Sequence, residues 1–155
     1  MKCTYPVRKT KHIRNTKFDY EFPCGKCLPC SINKRMQWQS RILLESTLHA
    51  DSSFITLTYN DAFLPTNQEL NKHDPQQFFK NLRRQTGNKY RYFLAGEYGG
   101  TNTKRPHYHL ILFGHPFTNS AEIIKAWSKN IGTRKHPIYA PIGNIDIKPI
   151  TPARS

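Results

Sequence analysis

The run Arg105-Pro106-His107-Tyr108-His109-Leu110-Ile111-Leu112-Phe113-Gly114 sets two histidines either side of one bulky residue within a segment that reads as a buried β-strand. Successive side chains of a strand point to opposite faces, so His107 and His109 share one face and Tyr108 points the other way, towards packing. Two imidazoles on a rigid face can hold a divalent cation between them. A His-x-His taken alone is equally compatible with a hydrogen-bonded pair, and the upstream sequence decides against that. Tyr90-Arg91-Tyr92-Phe93-Leu94-Ala95-Gly96-Glu97-Tyr98 is a second strand-like run, followed by the turn cluster Gly99-Gly100-Thr101-Asn102-Thr103 and by Lys104-Arg105. A hairpin centred near Asn102 puts Glu97 opposite His107, where cross-strand Cβ atoms lie about 4.5–5.5 Å apart. The outcome is a two-histidine, one-carboxylate set, suited to Mg²⁺ or Mn²⁺ and leaving coordination positions open to an anionic substrate.

A second group of ligating residues lies near the N-terminus. Cys24, Cys27 and Cys30 form C-x2-C-x2-C, and Cys3 is the remaining cysteine. Four thiolates complete a tetrahedral zinc site if Cys3 returns through a loop. The tight repeat also suits an iron–sulfur ligand run, and free buried thiols are the bland alternative. Structural zinc is the preferred expectation, because nothing else in the chain calls for redox chemistry.

The elements that must position these groups follow from punctuation and periodicity. Ser31 is expected to cap a helix through Ile32, Met36, Leu43, Leu44 and Leu48, with Lys34, Arg35 and Arg41 outside. Phe54 to Tyr59 alternates as a half-buried strand. Asp74-Pro75 reads as an N-cap with proline at the first helical position, opening a helix with Phe78, Phe79 and Leu82 inward and Lys80, Arg83 and Arg84 outward. After the hairpin, Asn119 or Ser120 starts a further helix through Ile123, Ile124 and Trp127, and Ile145 to Ile150 alternates as a last strand after Gly143. The order βαββαβ predicts an α+β fold: a ferredoxin-like antiparallel sheet with helices on one face, preceded by a Cys-rich metal-binding arm and helix. The expectation is one domain over 1–155, with the basic arm and helix in 1–50 and the core in 54–150. The histidines then occupy the open face of the sheet.

The segment Pro23-Cys24-Gly25-Lys26-Cys27-Leu28-Pro29-Cys30, Phe54 to Tyr59, Gly96-Glu97-Tyr98-Gly99 and Arg105 to Gly114 together resemble the HUH endonucleases, and more narrowly the rolling-circle replication initiators of gokushovirus-type microviruses. The resemblance covers nearly the whole chain. It implies the same ferredoxin-like core, a Mg²⁺ or Mn²⁺ ion on Glu97, His107 and His109, single-stranded origin DNA as the partner, and nicking and rejoining through a phosphotyrosine. It also implies a host replication helicase as a further partner and the cytoplasm of the bacterial host as the location.

Composition agrees with a nucleic-acid partner. Twenty-four Lys and Arg against ten Asp and Glu give a net charge of +14, and half of that excess lies in the first fifty residues. A phosphate backbone is the matching counter-charge. Lys34, Arg35, Arg41, Arg83, Arg84, Lys104 and Arg105 are the expected DNA-binding residues, and an aromatic content of 12% offers stacking platforms for unpaired bases. No apolar run is long enough to span a bilayer, and Met1 to Thr16 lacks the apolar core of a signal peptide.

The nucleophile is where the chain departs from the family pattern. The tyrosine helix that should follow the last core strand is not found before Ser155. Tyr5, with Lys9 four residues on but Pro6 favouring extended backbone, and Tyr139, between Pro137 and Pro141 and hence expected in a loop, are weak candidates. Three functions therefore stand: an HUH-type initiator domain, a non-catalytic zinc-stabilised binder of single-stranded nucleic acid, and a metal-dependent phosphodiesterase using activated water.

Overall fold

A computed structural model describes residues 1–100, 103–114 and 121–150. Its elements are β1 (Val7–Ile13), β2 (Thr16–Phe22), α1 (Leu28–Ser46), β3 (Ser52–Leu57), α2 (His73–Thr86), β4 (Arg91–Tyr98), β5 (Pro106–Phe113), α3 (Ala121–Ala126), β6 (Ser128–Asn130), β7 (Tyr139–Pro141) and β8 (Ile145–Ile150). Packing divides the chain into two units, Met1–Glu45 and Ser46–Ser155.

In the second unit, β3, α2, β4, β5, α3 and β8 follow the βαββαβ order, and the strands lie β4-β5-β3-β8, antiparallel throughout. This is the ferredoxin-like arrangement. Its core forms because alternate residues of β3 and β5 are apolar: Ile55, Leu57, Tyr108, Leu110 and Leu112 are buried together with Phe78, Phe79 and Leu82 of α2 and Ile123 and Trp127 at α3. Burying each such side chain contributes about 1.5–3 kcal/mol. Trp127 is fully buried and donates its indole N–H to the Thr58 carbonyl at 2.8 Å, so its polar atom is satisfied inside the core. The residues between them in sequence, Phe54, Thr56, His107, His109 and Ile111, remain half-buried on the opposite face.

Helix α2 begins at His73 rather than at the Asp74-Pro75 step, and its capping side chain is Asn71, whose Oδ1 accepts the Asp74 amide at 2.9 Å. The Asp74 carboxylate is engaged elsewhere, accepting from the Tyr59 hydroxyl at 2.7 Å and from Asn71 Nδ2 at 2.8 Å. Burial pushes the Tyr59 hydroxyl well above the ordinary phenol range, with its bonds to Tyr108 and Asp74 adding to the effect. Tyr59 is thus a core donor.

Three parts of the architecture differ from expectation. A hairpin, β6 and β7, intervenes between α3 and β8, so Tyr139 lies in a strand paired with Asn130 rather than in a loop. Asn130 closes that hairpin by accepting the amides of Gly132 and Ile138 through Oδ1, both at 3.0 Å. In the first unit, β1 and β2 form an antiparallel hairpin where only a basic arm was expected. Helix α1 starts at Leu28, before Ser31, and Met36, Leu43 and Leu44 along it are exposed; Cys30 is its one buried residue. The expected helix start at Asn119 or Ser120 and the turn residues Thr101 and Asn102 lie outside the described residues. No described helix is long and apolar enough to cross a membrane.

Strand β8 is fastened to the core by a close backbone approach. Thr58 N–H donates to the Asn144 carbonyl at 3.0 Å, and the Asn144 amide donates to Thr58 Oγ1 at 3.1 Å. Gly143 lies so near that a Cβ there would overlap the Thr58 carbonyl. Gly143→Ala should therefore cost about 3 kcal/mol of stability by forced overpacking, read as a lower Tm in a thermal melt; an unchanged Tm would show that β8 docks with room to spare.

Candidate metal centres and nucleic-acid face

The β4–β5 register sets Glu97 opposite His107 and Ala95 opposite His109. Both histidines turn Nε2 towards one carboxylate oxygen, Glu97 Oε2, at 3.9 Å from His107 and 3.2 Å from His109. Their rings stand nearly perpendicular, 4.9 Å apart. Each Nδ1 is held from behind. His107 Nδ1 donates to the Arg105 carbonyl at 3.2 Å, which leaves the Nε2 lone pair free for a ligand. His109 Nδ1 lies 3.0 Å from Thr56 Oγ1, and the Phe54 ring stacks on the His109 imidazole at 5.4 Å. The neighbouring strand β3 thus fixes the orientation of a residue on β5.

This arrangement fits a divalent cation. The three ligand atoms lie within 4.8 Å of one another, and the set is two nitrogens and one oxygen. Both imidazoles are largely covered while the Glu97 side chain is 62% exposed, so solvent or an anionic ligand can reach the open side of the group.

The four cysteines gather in the first unit with their sulfurs also within 4.8 Å of one another. Cys3 and Cys27 sulfurs are 3.7 Å apart. Zn–S bonds of about 2.3 Å place the corners of a tetrahedron about 3.8 Å apart. That spacing leaves no room for bridging sulfides, so the group suits a single ion. Backbone amides already favour thiolate: those of Lys26 and Cys27 lower Cys24, and those of Thr4 and Cys30 bring Cys27 to about 5. Cys30 behaves oppositely. Although the Gly25 amide pulls it down, Cys27, burial, Cys3 and Cys24 together push it up to about 12. Four adjacent thiols cannot all ionise without a cation among them.

The expected basic residues are dispersed. Lys34, Arg35 and Arg41 lie on α1, with the Arg41 guanidinium 5.2 Å from the Trp38 ring centroid. Arg83 and Arg84 are exposed on α2, which covers the sheet face opposite the histidines. Arg105 is engaged by the Asp61 carboxylate and the Tyr59 carbonyl, while Lys104 is exposed in the β4–β5 connection. Lys148, which sequence reasoning did not single out, is on the histidine face: it pairs with Phe54 across β3 and β8. The alternation Ile145-Asp146-Ile147-Lys148 could have shown this, since Ile145 and Ile147 pack on the core. Thr56 was likewise missed, and only the β3–β5 register, Thr56 opposite His109, reveals its part.

Neither candidate tyrosine is shown beside the histidines. Tyr5 is exposed in the first unit, and Tyr139 of β7 lines a cavity with His73 and Arg84 of α2. Tyr59, Tyr90 and Tyr108 are buried, and Tyr92 and Tyr98 fall on the helix-covered side of β4 by register.

Fold and site define a ferredoxin-like α+β protein with a cation-binding group on its open sheet face and a four-cysteine group in a separate N-terminal unit. The family described as replication-associated protein ORF2 matches residues 52–148, the stretch that builds the sheet, and the chain belongs to that family. It is 34% identical over 115 residues to the replication-associated protein VP4 of Bdellovibrio phage phiMH2K, covering 69% of this chain and 36% of that protein. It is 32% identical over 112 residues to the replication-associated protein ORF2 of Spiroplasma virus 4, covering 66% and 34%. A third relative, replication-associated protein ORF4 of Chlamydia phage 1, is 31% identical over 102 residues, covering 63% and 25%. The chain thus spans about a third or less of the length of these relatives. No solved structure gives a significant match.

Two outcomes are expected from this geometry. Mn²⁺ titration should reveal a site lost in His107→Ala and His109→Ala, weakened in Glu97→Gln, and weakened roughly 10–100-fold in Thr56→Val, which removes the group behind His109. Binding unchanged in both histidine variants would make the pair structural. Elemental analysis of the purified chain should find close to one equivalent of zinc, and Cys27→Ser should release it and increase proteolysis before Ser31. A zinc-free or iron-containing parent would contradict the assignment.

Proposed function

We propose that this chain is the metal- and DNA-binding part of a phage replication initiator of the HUH type, working on single-stranded origin DNA. The observation that carries this reading is the pair of imidazoles aimed at one Glu97 oxygen with both Nδ1 atoms held behind. Family membership, the names of the phage relatives and the net charge of +14 support it. The bound strand would lie along the open sheet face, where Phe54 and Ile111 offer apolar contact and Lys148 a phosphate partner. Glu97, His107 and His109 would hold Mg²⁺ or Mn²⁺, which polarises a non-bridging phosphate oxygen and so prepares the phosphorus for in-line attack. The cysteine group would hold structural zinc. The host replication helicase and the host cytoplasm belong to the same reading.

A second reading, a non-catalytic zinc-stabilised single-strand binder, is favoured by one observation: the described tyrosines of the histidine-bearing unit are buried or lie off the triad face. Positioned metal without an aligned attacking oxygen lacks the geometry that lowers the barrier. The two readings separate on metal. For the initiator domain, Mn²⁺ should tighten binding to an oligonucleotide and His109→Ala should abolish that gain; binding indifferent to Mn²⁺ selects the simple binder. On a denaturing gel after incubation with an origin-bearing oligonucleotide and Mn²⁺, this chain should run as free protein only. A shifted, nuclease-sensitive band would overturn that expectation, and peptide mapping would then name the tyrosine.

A further inference from the structure

The β1–β2 hairpin sorts its side chains by chemistry. Register pairs Val7 with Phe22, Lys9 with Tyr20, Lys11 with Phe18 and Ile13 with Thr16 on one face. Phe18, Tyr20 and Phe22 form a row along that face, with ring centroids 6.5 Å and 6.2 Å apart, each residue 40–49% exposed. Lys9 and Lys11 stand across from Tyr20 and Phe18, and are the charged residues of this face. Both acidic residues of the hairpin are on the reverse face and are engaged there. Glu21 accepts from Arg8 Nε at 2.8 Å, and Asp19 accepts from Thr10 Oγ1 at 2.6 Å, with Lys17 Nζ at 3.6 Å. The aromatic face is therefore uniformly cationic.

We propose that this hairpin is a second, separate binding element for single-stranded DNA, with Phe18, Tyr20 and Phe22 stacking on successive bases and Lys9 and Lys11 holding phosphates. Charge decides the occupant. A face of flat aromatic rings interleaved with lysines, with every carboxylate of the hairpin turned to the other side, complements a polyanion that also presents π-faces. Duplex DNA has its bases already stacked and offers the rings nothing. The chain's place among replication-associated proteins makes the strand DNA. This element does not depend on the histidine group, which lies in the other unit.

The test uses the whole zinc-loaded chain carrying His109→Ala, without added divalent cation, so that failure of the metal centre cannot register. Fluorescence anisotropy with a short oligo(dT) is the readout. Tyr20→Leu keeps the bulk and charge of the face but removes the π-surface, and should weaken binding about tenfold, leaving duplex affinity unchanged. Replacing Lys9 and Lys11 together by Gln leaves the rings in place and should lower the slope of log K against log salt by about 1.4. Amide shifts of Thr10 and Asp19 report whether the hairpin persists; if Tyr20→Leu loses it, the lysine pair alone decides. Oligo(dT) affinity and salt slope unchanged in the variants would overturn the proposal. So would a dimer of the parent chain broken by Tyr20→Leu with DNA binding intact, which would make the face a self-association surface.

Discussion

The pairing of β4 with β5 in a register that sets Glu97 opposite His107 is the constraint on which the site depends. Because strand side chains alternate with a period of two, a slip of one residue would send both histidines into the core and Tyr108 out to solvent. The buried face prevents that slip. Tyr108, Leu110 and Leu112 are anchored in the core, and the Tyr108 hydroxyl donates to the Asn71 carbonyl at 2.8 Å. Packing on one side of the sheet therefore determines chemistry on the other. The same logic extends across β3, whose Ile55 and Leu57 are buried while Thr56 between them meets His109.

Much of this was legible from the residues. The alternation in Arg105 to Gly114 gave the shared face of the histidines, and the Gly-rich turn before it gave the partner strand and its carboxylate. The helix with Phe78, Phe79 and Leu82 inward and the βαββαβ order were legible for the same reason: apolar periodicity is strong wherever an element buries one face. The sheet observed has that order.

What escaped lacks that signal. The β1–β2 hairpin buries neither face, so its strands have no apolar stripe, and its turn is Arg14-Asn15, both at positive φ, rather than the glycine-containing pair that usually marks a two-residue hairpin. Its strict aromatic–acidic alternation from Phe18 to Phe22 was nonetheless present to be read. Strands β6 and β7 are three residues each, too short for periodicity, and the Asn130 side chain that closes them is a tertiary fact. The engagement of Arg105 by Asp61, far away in sequence, could not be inferred from a count of basic residues.

The two groups of metal-ligating residues differ in kind. The cysteine set is closed, four sulfurs around one point, and suits an ion that ties a segment together. The histidine–glutamate set is open on its Glu97 side and suits an ion that still has positions to offer. The account therefore stands or falls on whether both imidazoles bind one ion. Pulsed electron paramagnetic resonance on Mn²⁺-loaded protein with ¹⁵N-labelled histidine tests this most directly. The account predicts hyperfine coupling to two imidazole nitrogens, reduced to one in His107→Ala and in His109→Ala. Mn²⁺ bound without histidine coupling, or coupling that survives replacement of both residues, would contradict it.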